Sequence, residues 1–510
     1  MQTDGIGLLS GMRAAGVCLH ITSLPGPHGI GVIGPEARQF IDRMAAAGLR
    51  VWQILPTGPT AYGDSPYQPL STFAGNPMMI DLRELVDWQL LTTEELVTLN
   101  QLPRTHTDYE SLIPQKWTLL ETAASRFTTL RNEDLQLAYR QFLETNDRAW
   151  LNDYALFRAL KLEHDERPWT EWAVHFRQRD IDALREFSYE NADRISLIKF
   201  VEFVFDHQWR SLQAHAKQAG VLLFGDIPIY IALDSADAWA NQSMLRLDTN
   251  GLPTAVAGVP PDYFSEDGQL WGNPLYDWSF HAEQDFRWWV DRIRHALRQA
   301  DLVRIDHFRG FEAYWSIPAG DDTARHGHWE TGPNDAIFNA IKTALGDVPI
   351  VAEDLGEITP AVEALRVRHH LPGMAVLQFL VDDPCFDLKH IAKDRICYTG
   401  THDNDTTVGW FNGNDDDTRT PEQIAHTQSR AIAVSGGTPD DIHWAMIHTA
   451  FASPACLAIV PMQDFLGLGS EARFNTPGKP ANNWGWRMQD HQFSDAICER
   501  ISQMVTSCHR

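Results

Sequence analysis

The chain of 510 residues is long for a single core, so its length allows either several domains or one large barrel carrying insertions. With 44% apolar and 22% charged residues it has ordinary globular composition, which excludes wholesale disorder and a fibrous repeat. A formal charge of −26 sets it against phosphate backbones and anionic lipid, so nucleic acid and membrane are not expected partners and a neutral substrate suits it better.

In chain order, an apolar run at residues 17–21 comes first. Gly34 and Pro35 then open a helix with Phe40, Ile41 and Met44 at helical spacing, and Gly48 stops it. A second run at 51–55 follows, which completes one βαβ step. Residues 63–218 begin as a Pro/Gly/Ser-rich extended segment and then read as helices, one of them around 154–160, so a large, mainly helical inserted subdomain is expected after the second strand. The third run spans 221–226. After it, residues 228–280 are rich in Gly, Pro and aromatics and read as an ordered loop insertion. Runs at 302–306, 350–353, 375–379, 396–399 and 456–460 bring the count to eight.

Runs that are continuously apolar and separated by helical stretches are what a parallel sheet buried on both faces requires. Eight of them predict an α/β fold, a closed (β/α)₈ TIM barrel built from residues 1–62 and 219–510. A doubly wound open sheet is the alternative. No internal repeat, low-complexity tract or flexible linker breaks the pattern.

Residues at the C-terminal ends of barrel strands line the site, because the βα loops converge there. Asp226, Asp306 and Glu353 each close an apolar run, and Asp403 falls just past the seventh. Any one of them alone could cap a helix or hold a salt bridge; recurrence on several strands favours chemistry. Retaining glycoside cleavage needs a carboxylate nucleophile and a nearby carboxylic acid that serves as acid and then base, with opposite pKa tuning. Arg304 lies on the same strand face as Asp306, so its guanidinium is placed to hold Asp306 ionised, which favours Asp306 as the nucleophile. Glu353 has the longer reach and suits the acid/base role. Its neighbour Asp354 offers like-charge repulsion, although adjacent strand positions point apart.

Asp403 sits in Thr401-His-Asp-Asn-Asp405, where a further carboxylate can bind ring hydroxyls and support positive charge at the sugar carbon. A calcium site is the competing reading, but neither the Gly nor the twelfth-position Glu of that pattern is in place. His307 and His402 flank the acids and are candidate donors to sugar hydroxyls. The 18 Trp and 11 Tyr supply flat faces for sugar rings, although most such residues fill cores.

Asp306 within Arg304-Ile-Asp-His-Phe-Arg-Gly310, Glu353 within Ala352-Glu-Asp-Leu-Gly356 and Asp403 within Thr401-His-Asp-Asn404 resemble the catalytic motifs of the 4-α-glucanotransferases, the amylomaltases or disproportionating enzymes of glycoside hydrolase family 77. Tyr62-Gly-Asp-Ser-Pro-Tyr67, continuing through Phe73-Ala-Gly-Asn-Pro77, is similar to the family's N-terminal signature. Gly258-Val-Pro-Pro-Asp-Tyr-Phe264 through Gly268-Gln-Leu-Trp-Gly-Asn-Pro274 is similar to its mobile loop, which the wider α-amylase clan lacks. The motifs run from about residue 17 to residue 487, and the chain looks like the family's short form.

The resemblance implies Asp306 as nucleophile, Glu353 as acid/base and Asp403 as transition-state stabiliser. It also implies glucan contacts from Tyr62, Ser65 and Tyr67, with residues 63–82 lining the site. Gln269 and Trp271 would reach in from the loop, Asp226 and Arg304 would touch the sugar beside the cut, and Asn483 would lie on the acceptor side. Tyr62 and Tyr67 have a second reading, as rings that pack their own loop. The expected substrates are α-1,4-glucans and maltooligosaccharides. An α-glucan hydrolase and a non-catalytic glucan-binding protein remain as alternatives.

Cofactor and compartment follow from what the sequence does not carry. It has no GxGxxG directly after a strand and no GxxxxGK[ST] loop, so no cofactor is expected, nor an obligatory metal. Cys18, Cys385, Cys397, Cys456, Cys498 and Cys508 are scattered without CxxC spacing, which fits a reducing compartment. With no signal-peptide pattern and no apolar run of membrane-spanning length, a cytoplasmic location is expected.

Overall fold

Strands buried on both faces need partners on both edges, and eight of them satisfy one another by closing a ring. The computed structural model describes residues 11–261, 266–414, 417–479 and 483–510; the side chain of Tyr62 lies outside that description. Twelve strands are found among the described residues: β1 (Ala14–Cys18), β2 (Val51–Gln53), β3 (Leu222–Ile227), β4 (Ala255–Val259), β5 (Gln269–Pro274), β6 (Leu302–Ile305), β7 (Ala313–Pro318), β8 (His328–Thr331), β9 (Ile350–Ala352), β10 (Gly373–Val376), β11 (Arg395–Tyr398) and β12 (Leu457–Pro461). Eight of these form one sheet in the order β10-β11-β12-β1-β2-β3-β6-β9, with every pair parallel. Across the remaining gap Ala352 N–H donates to Pro372 C=O at 2.8 Å, so the sheet is a (β/α)₈ barrel. Its interior is filled by Cys18, Val51, Phe224, Leu302, Val351, Met374, Ile396 and Ile459, so it is a packed core and not a pore.

Two strands differ most from the apolar runs. β1 begins at Ala14 and ends at Cys18, with Ile21 already in a 3₁₀ turn. Small residues weaken the apolar signal of that segment, yet the barrel needs them. A Cβ at Gly16 would come within 2.4 Å of the Val51 carbonyl and 2.6 Å of Ile459 Cδ1. In the run 375–379, only the first two residues are strand, and Leu377–Leu380 turns into a short helix. A short apolar run does not distinguish the two by itself.

The helix Pro35–Ala46 forms as expected, with Pro at its first turn and Ala37, Phe40, Ile41 and Met44 buried. Between β2 and β3 the chain carries the helices Tyr109–Phe127, Glu133–Asn146, Asn152–Glu163, Ile181–Glu190 and Ala192–Ala219. The last of these runs straight into β3. It packs on both Pro35–Ala46 and Asn152–Glu163, so it also serves as the barrel's own covering helix at that position. After β3 the ordered insertion adds β4 and β5. These pair antiparallel with β7 and β8, which follow β6, in the order β5-β4-β7-β8. The aromatic segment is thus held as a sheet built from two βα loops. No helix among the described residues is long and apolar enough to cross a membrane.

Candidate active site

Arg304, at the third position of β6, anchors the site. Its side chain is 4% exposed, and its two terminal nitrogens divide between two carboxylates, Nη1 to Asp226 Oδ2 and Nη2 to Asp306 Oδ1, both at 2.6 Å. Burial opposes the guanidinium charge, but Asp226 and Asp306 together hold its pKa well above the usual value. The fork of an arginine suits this double contact in a way a single ammonium does not. Asp226 is fully buried, and its pKa is raised by burial and by Asp306 while Arg304 opposes the rise. The hydroxyl of Tyr67 donates to the same oxygen, Asp226 Oδ2, at 2.8 Å, and Asp226 Oδ1 is left buried without a partner among the described residues.

Glu353 follows β9. Its Oε2 accepts the His307 N–H at 2.7 Å and its Oε1 the Leu355 N–H at 2.8 Å. Since His307 follows Asp306 directly, the two carboxyl groups are brought to neighbouring positions at the barrel mouth. Burial and the Asp306 charge push the Glu353 carboxyl up to about 7, against the pull of Arg304 and the two amide donors. Asp354 is not among the causes. It turns away to bind Arg395 and to accept Met374 N–H at 2.8 Å, so it ties β9 to β10 and β11, and the like-charge effect offered by its adjacency is replaced by that of Asp306.

Asp403 is 46% exposed and is fixed from the loop after β12: Asn475 Nδ2 donates to its Oδ1 at 2.6 Å and Arg473 Nη2 to its carbonyl at 2.5 Å. The other acid of the Asp-x-Asp pair, Asp405, is taken up by Ser470 at 2.6 Å and Asn414 at 2.7 Å, which points it away from Asp403. The His402 ring stacks on Tyr67 with centroids 5.0 Å apart and 14° between planes, and Trp484 closes against both. His307, in a left-handed backbone conformation, is half-buried, and desolvation of its ring lowers its pKa to about 4. It is therefore neutral at pH 7, and its Nε2 is buried without a partner among the described residues.

The loop residues lie over this floor. Trp271 on β5 meets the His307 ring edge-on at 4.8 Å and donates from Nε1 to Gln269 Oε1 at 3.1 Å. Gln68 Nε2 donates to Asn273 Oδ1 at 3.1 Å, linking the Tyr67 segment to the same strand. Ser65 Oγ accepts Tyr67 N–H at 3.3 Å and so shapes its turn. Asp226, Arg304, Asp306, His307, Glu353, His402, Asp403, Tyr67 and Trp271 are thus brought together. Asn483 is engaged locally, accepting Thr476 N–H at 2.9 Å and donating to the Lys479 carbonyl at 2.7 Å. Of the loop motif, residues 262–265 lie outside the described residues, as does the side chain of Tyr62.

Sequence reasoning missed His20, Trp484, Asn475 and Arg473. His20 is buried, and burial together with the His402 charge lowers its pKa to about 3. It stands two residues past β1, at a strand end like the acids, but a first strand set at 17–21 hides it inside the strand. Asn475 and Arg473 lie more than ten residues beyond the end of β12, where no strand-end rule reaches.

The raised carboxyl of Glu353 gives a testable pH dependence. An acid/base group must be protonated to serve the first step, so kcat/KM is expected to fall about tenfold per pH unit above the Glu353 pKa of about 7. A pH–rate profile checks this, and an unchanged rate through pH 9 would remove Glu353 from that role.

The family model for 4-alpha-glucanotransferase, glycoside hydrolase family 77, matches residues 19–493. A 4-alpha-glucanotransferase of Thermus thermophilus is 46% identical over 506 residues, covering 98% of this chain and 99% of that protein. One from Synechocystis is 43% identical, covering 96% of each. Among solved structures, an amylomaltase from Streptococcus agalactiae in complex with acarbose superposes with a TM-score of 0.92 at 35% identity, covering 98% of this chain and 99% of that one.

Proposed function

This chain belongs to the 4-alpha-glucanotransferases of glycoside hydrolase family 77, and we propose that it moves α-1,4-linked glucan segments to an acceptor glucan or glucose by retaining double displacement, through a covalent bond to Asp306. What carries the reading is the contrast between two neighbouring acids. One is ion-paired to a buried arginine, and the other has a carboxyl raised to about 7 by burial and by the first. In the first step an Asp306 oxygen attacks the anomeric carbon while the Glu353 proton passes to the departing glycosidic oxygen. In the second, Glu353 takes the proton of the acceptor 4-hydroxyl, whose oxygen displaces Asp306. Asp403 supports the positive charge that develops at the sugar carbon.

The unpartnered Asp226 Oδ1 and His307 Nε2 are suited to sugar hydroxyls, since buried polar atoms otherwise cost about 1–3 kcal/mol each. Tyr67 and His402 supply a stacked face beside them. Tyr62, Ser65 and Gln269 extend the glucan contact, and Asn483 acts on the acceptor side by shaping its loop. Acarbose, an oligosaccharide mimic, sits in the Streptococcus agalactiae amylomaltase, which supports a glucan-shaped cleft here.

Transfer requires that an acceptor sugar reach the intermediate before water does. Trp271 on the antiparallel sheet stands against His307, beside Asp306, and is the group expected to exclude water. Incubation with maltotriose should yield glucose plus maltooligosaccharides longer than the substrate. Net growth of reducing ends without longer products would make the enzyme a hydrolase. Trp271→Ala is expected to raise the hydrolytic share several-fold, read as reducing ends formed per transfer event.

A further inference from the structure

A cavity of about 280 Å³ lies where the inserted helices meet the barrel, and none of the three acids lines it. Phe73 and Gly75 of the extended segment form one wall, and Trp150, Glu202, Asp206 and His295 come from three helical elements around it. The rings of Phe73 and Trp150 are nearly parallel, 17° apart with centroids at 6.4 Å. His295 stands edge-on to both at 5.2 and 5.9 Å. Phe73 and Trp150 are only partly buried, so the aromatic wall stays accessible even though Trp150 also packs against the core.

Trp150 reaches the cavity from a π-helical turn, Asp147–Leu151, that interrupts the path from Glu133–Asn146 to Asn152–Glu163. Such turns are rare and recur at functional positions. The Trp150 Nε1 donates to Asn146 Oδ1 at 3.2 Å, which fixes the indole.

The polar side of the cavity is Glu202, which is 3% exposed. Its Oε2 accepts the Gly75 N–H at 2.8 Å, and its Oε1 has no partner among the described residues. Burial, with help from Asp206, raises its pKa to about 8, so at neutral pH it is an uncharged carboxylic acid able to donate as well as accept. Gly75 cannot be replaced without disturbing this arrangement, because a Cβ there would lie 2.1 Å from the Phe205 ring.

A purely apolar ligand would use the rings and leave Glu202 unsatisfied. The charges on the lining offset one another, since Arg210 binds Asp206 at 2.8 Å and Arg298 also acts on that carboxylate, so a neutral polar ligand fits better than an ion. Ring faces beside a neutral carboxyl group suit a molecule with an apolar C–H face and hydroxyls at its edge. The volume sits just below the ~300–1,000 Å³ span of ordinary small-molecule sites, which limits the occupant to one ring. We propose that this cavity is a second, non-catalytic site for a single neutral pyranose such as D-glucose. It is independent of the roles assigned to Asp306, Glu353 and Asp403. Its occupant would brace the segment that carries Tyr67 and Gln68, since Thr72 of that segment is held by Asp237 and Gly75 by Glu202.

Hydrogen exchange with D-glucose alone tests the proposal, on both the natural protein and Asp306→Asn, so that failure of the catalytic assignment leaves the result readable. With glucose at ~10 times its Kd, exchange in segments 71–76, 142–150 and 198–206 should slow by up to ~10-fold. Trp150→Ala should abolish that slowing while leaving transfer from maltotriose intact. Glu202→Gln, which keeps an acceptor for Gly75, should weaken it and serves if the first variant does not fold. The proposal is overturned by no slowing, by slowing confined to segments carrying Tyr67 or the three acids, by equal slowing with glycerol, or by slowing unchanged in both variants.

Discussion

Asp306→Asn is expected to reduce maltotriose disproportionation by ~10⁴-fold or more, the scale on which covalent catalysis fails when its nucleophile is lost. The protein should remain folded, because the amide is isosteric and can still turn its oxygen to Arg304, and because the Asp306 side chain is 31% exposed and carries little packing. Glu353→Gln should be comparably inactive on maltotriose but for a different reason, loss of the proton for the leaving oxygen. A substrate with a leaving group that needs no proton, an α-maltosyl fluoride, separates the two. It should let Glu353→Gln form the glycosyl-enzyme and leave Asp306→Asn silent. Full activity of Asp306→Asn on maltotriose would sink the double displacement, and equal response of the two variants to the fluoride would sink the division of roles. A non-catalytic glucan-binding protein predicts no turnover to lose.

The barrel was legible because burial on both faces writes continuous apolar runs into the strands, and because functional residues must stand at one end of them. That logic reaches Asp226, Asp306 and Glu353, which end strands, and nearly reaches Asp403. It does not reach Asn475, Arg473 or Trp484, whose positions depend on how the loop after β12 folds back over the mouth. His20 was within its reach but was lost to a three-residue error in the first strand, where Ala14, Ala15 and Gly16 give little apolar signal. The antiparallel sheet was hidden for another reason. Each of two loops forms its own short pair, β4 with β5 and β7 with β8, but the pairing that joins them into one sheet, β4 with β7, lies between loops that β6 separates in the chain. Trp271 was readable as an aromatic in a loop, but its place against His307 follows from that sheet.

The second large effect belongs to Arg304, and it falls on stability as well as activity. Removing one member of a buried ion pair leaves the other uncompensated, at a cost of about 3–5 kcal/mol. Arg304→Met does this to Asp226, which is fully buried and keeps only the Tyr67 hydroxyl. Arg304→Lys should recover little, because Nη1 and Nη2 serve different carboxylates and a single ammonium cannot meet both at 2.6 Å. The loss should depend on pH, and its sign follows from Asp226. Burial already raises that carboxyl, and without Arg304 to oppose the rise the folded state would hold its proton to still higher pH. Below the unfolded pKa of roughly 4 both states are protonated and the deficit is small. As pH rises the unfolded chain releases the proton and the folded one does not, so the deficit relative to the natural protein should grow until the folded group also ionises. Urea denaturation at pH 5 and pH 8 measures this directly. Arg304→Met combined with Asp226→Asn should regain most of the stability without regaining transfer, because the buried charge has gone but Asp306 still lacks its guanidinium. Recovery of transfer in that double variant would mean that Arg304 serves the fold and not the chemistry.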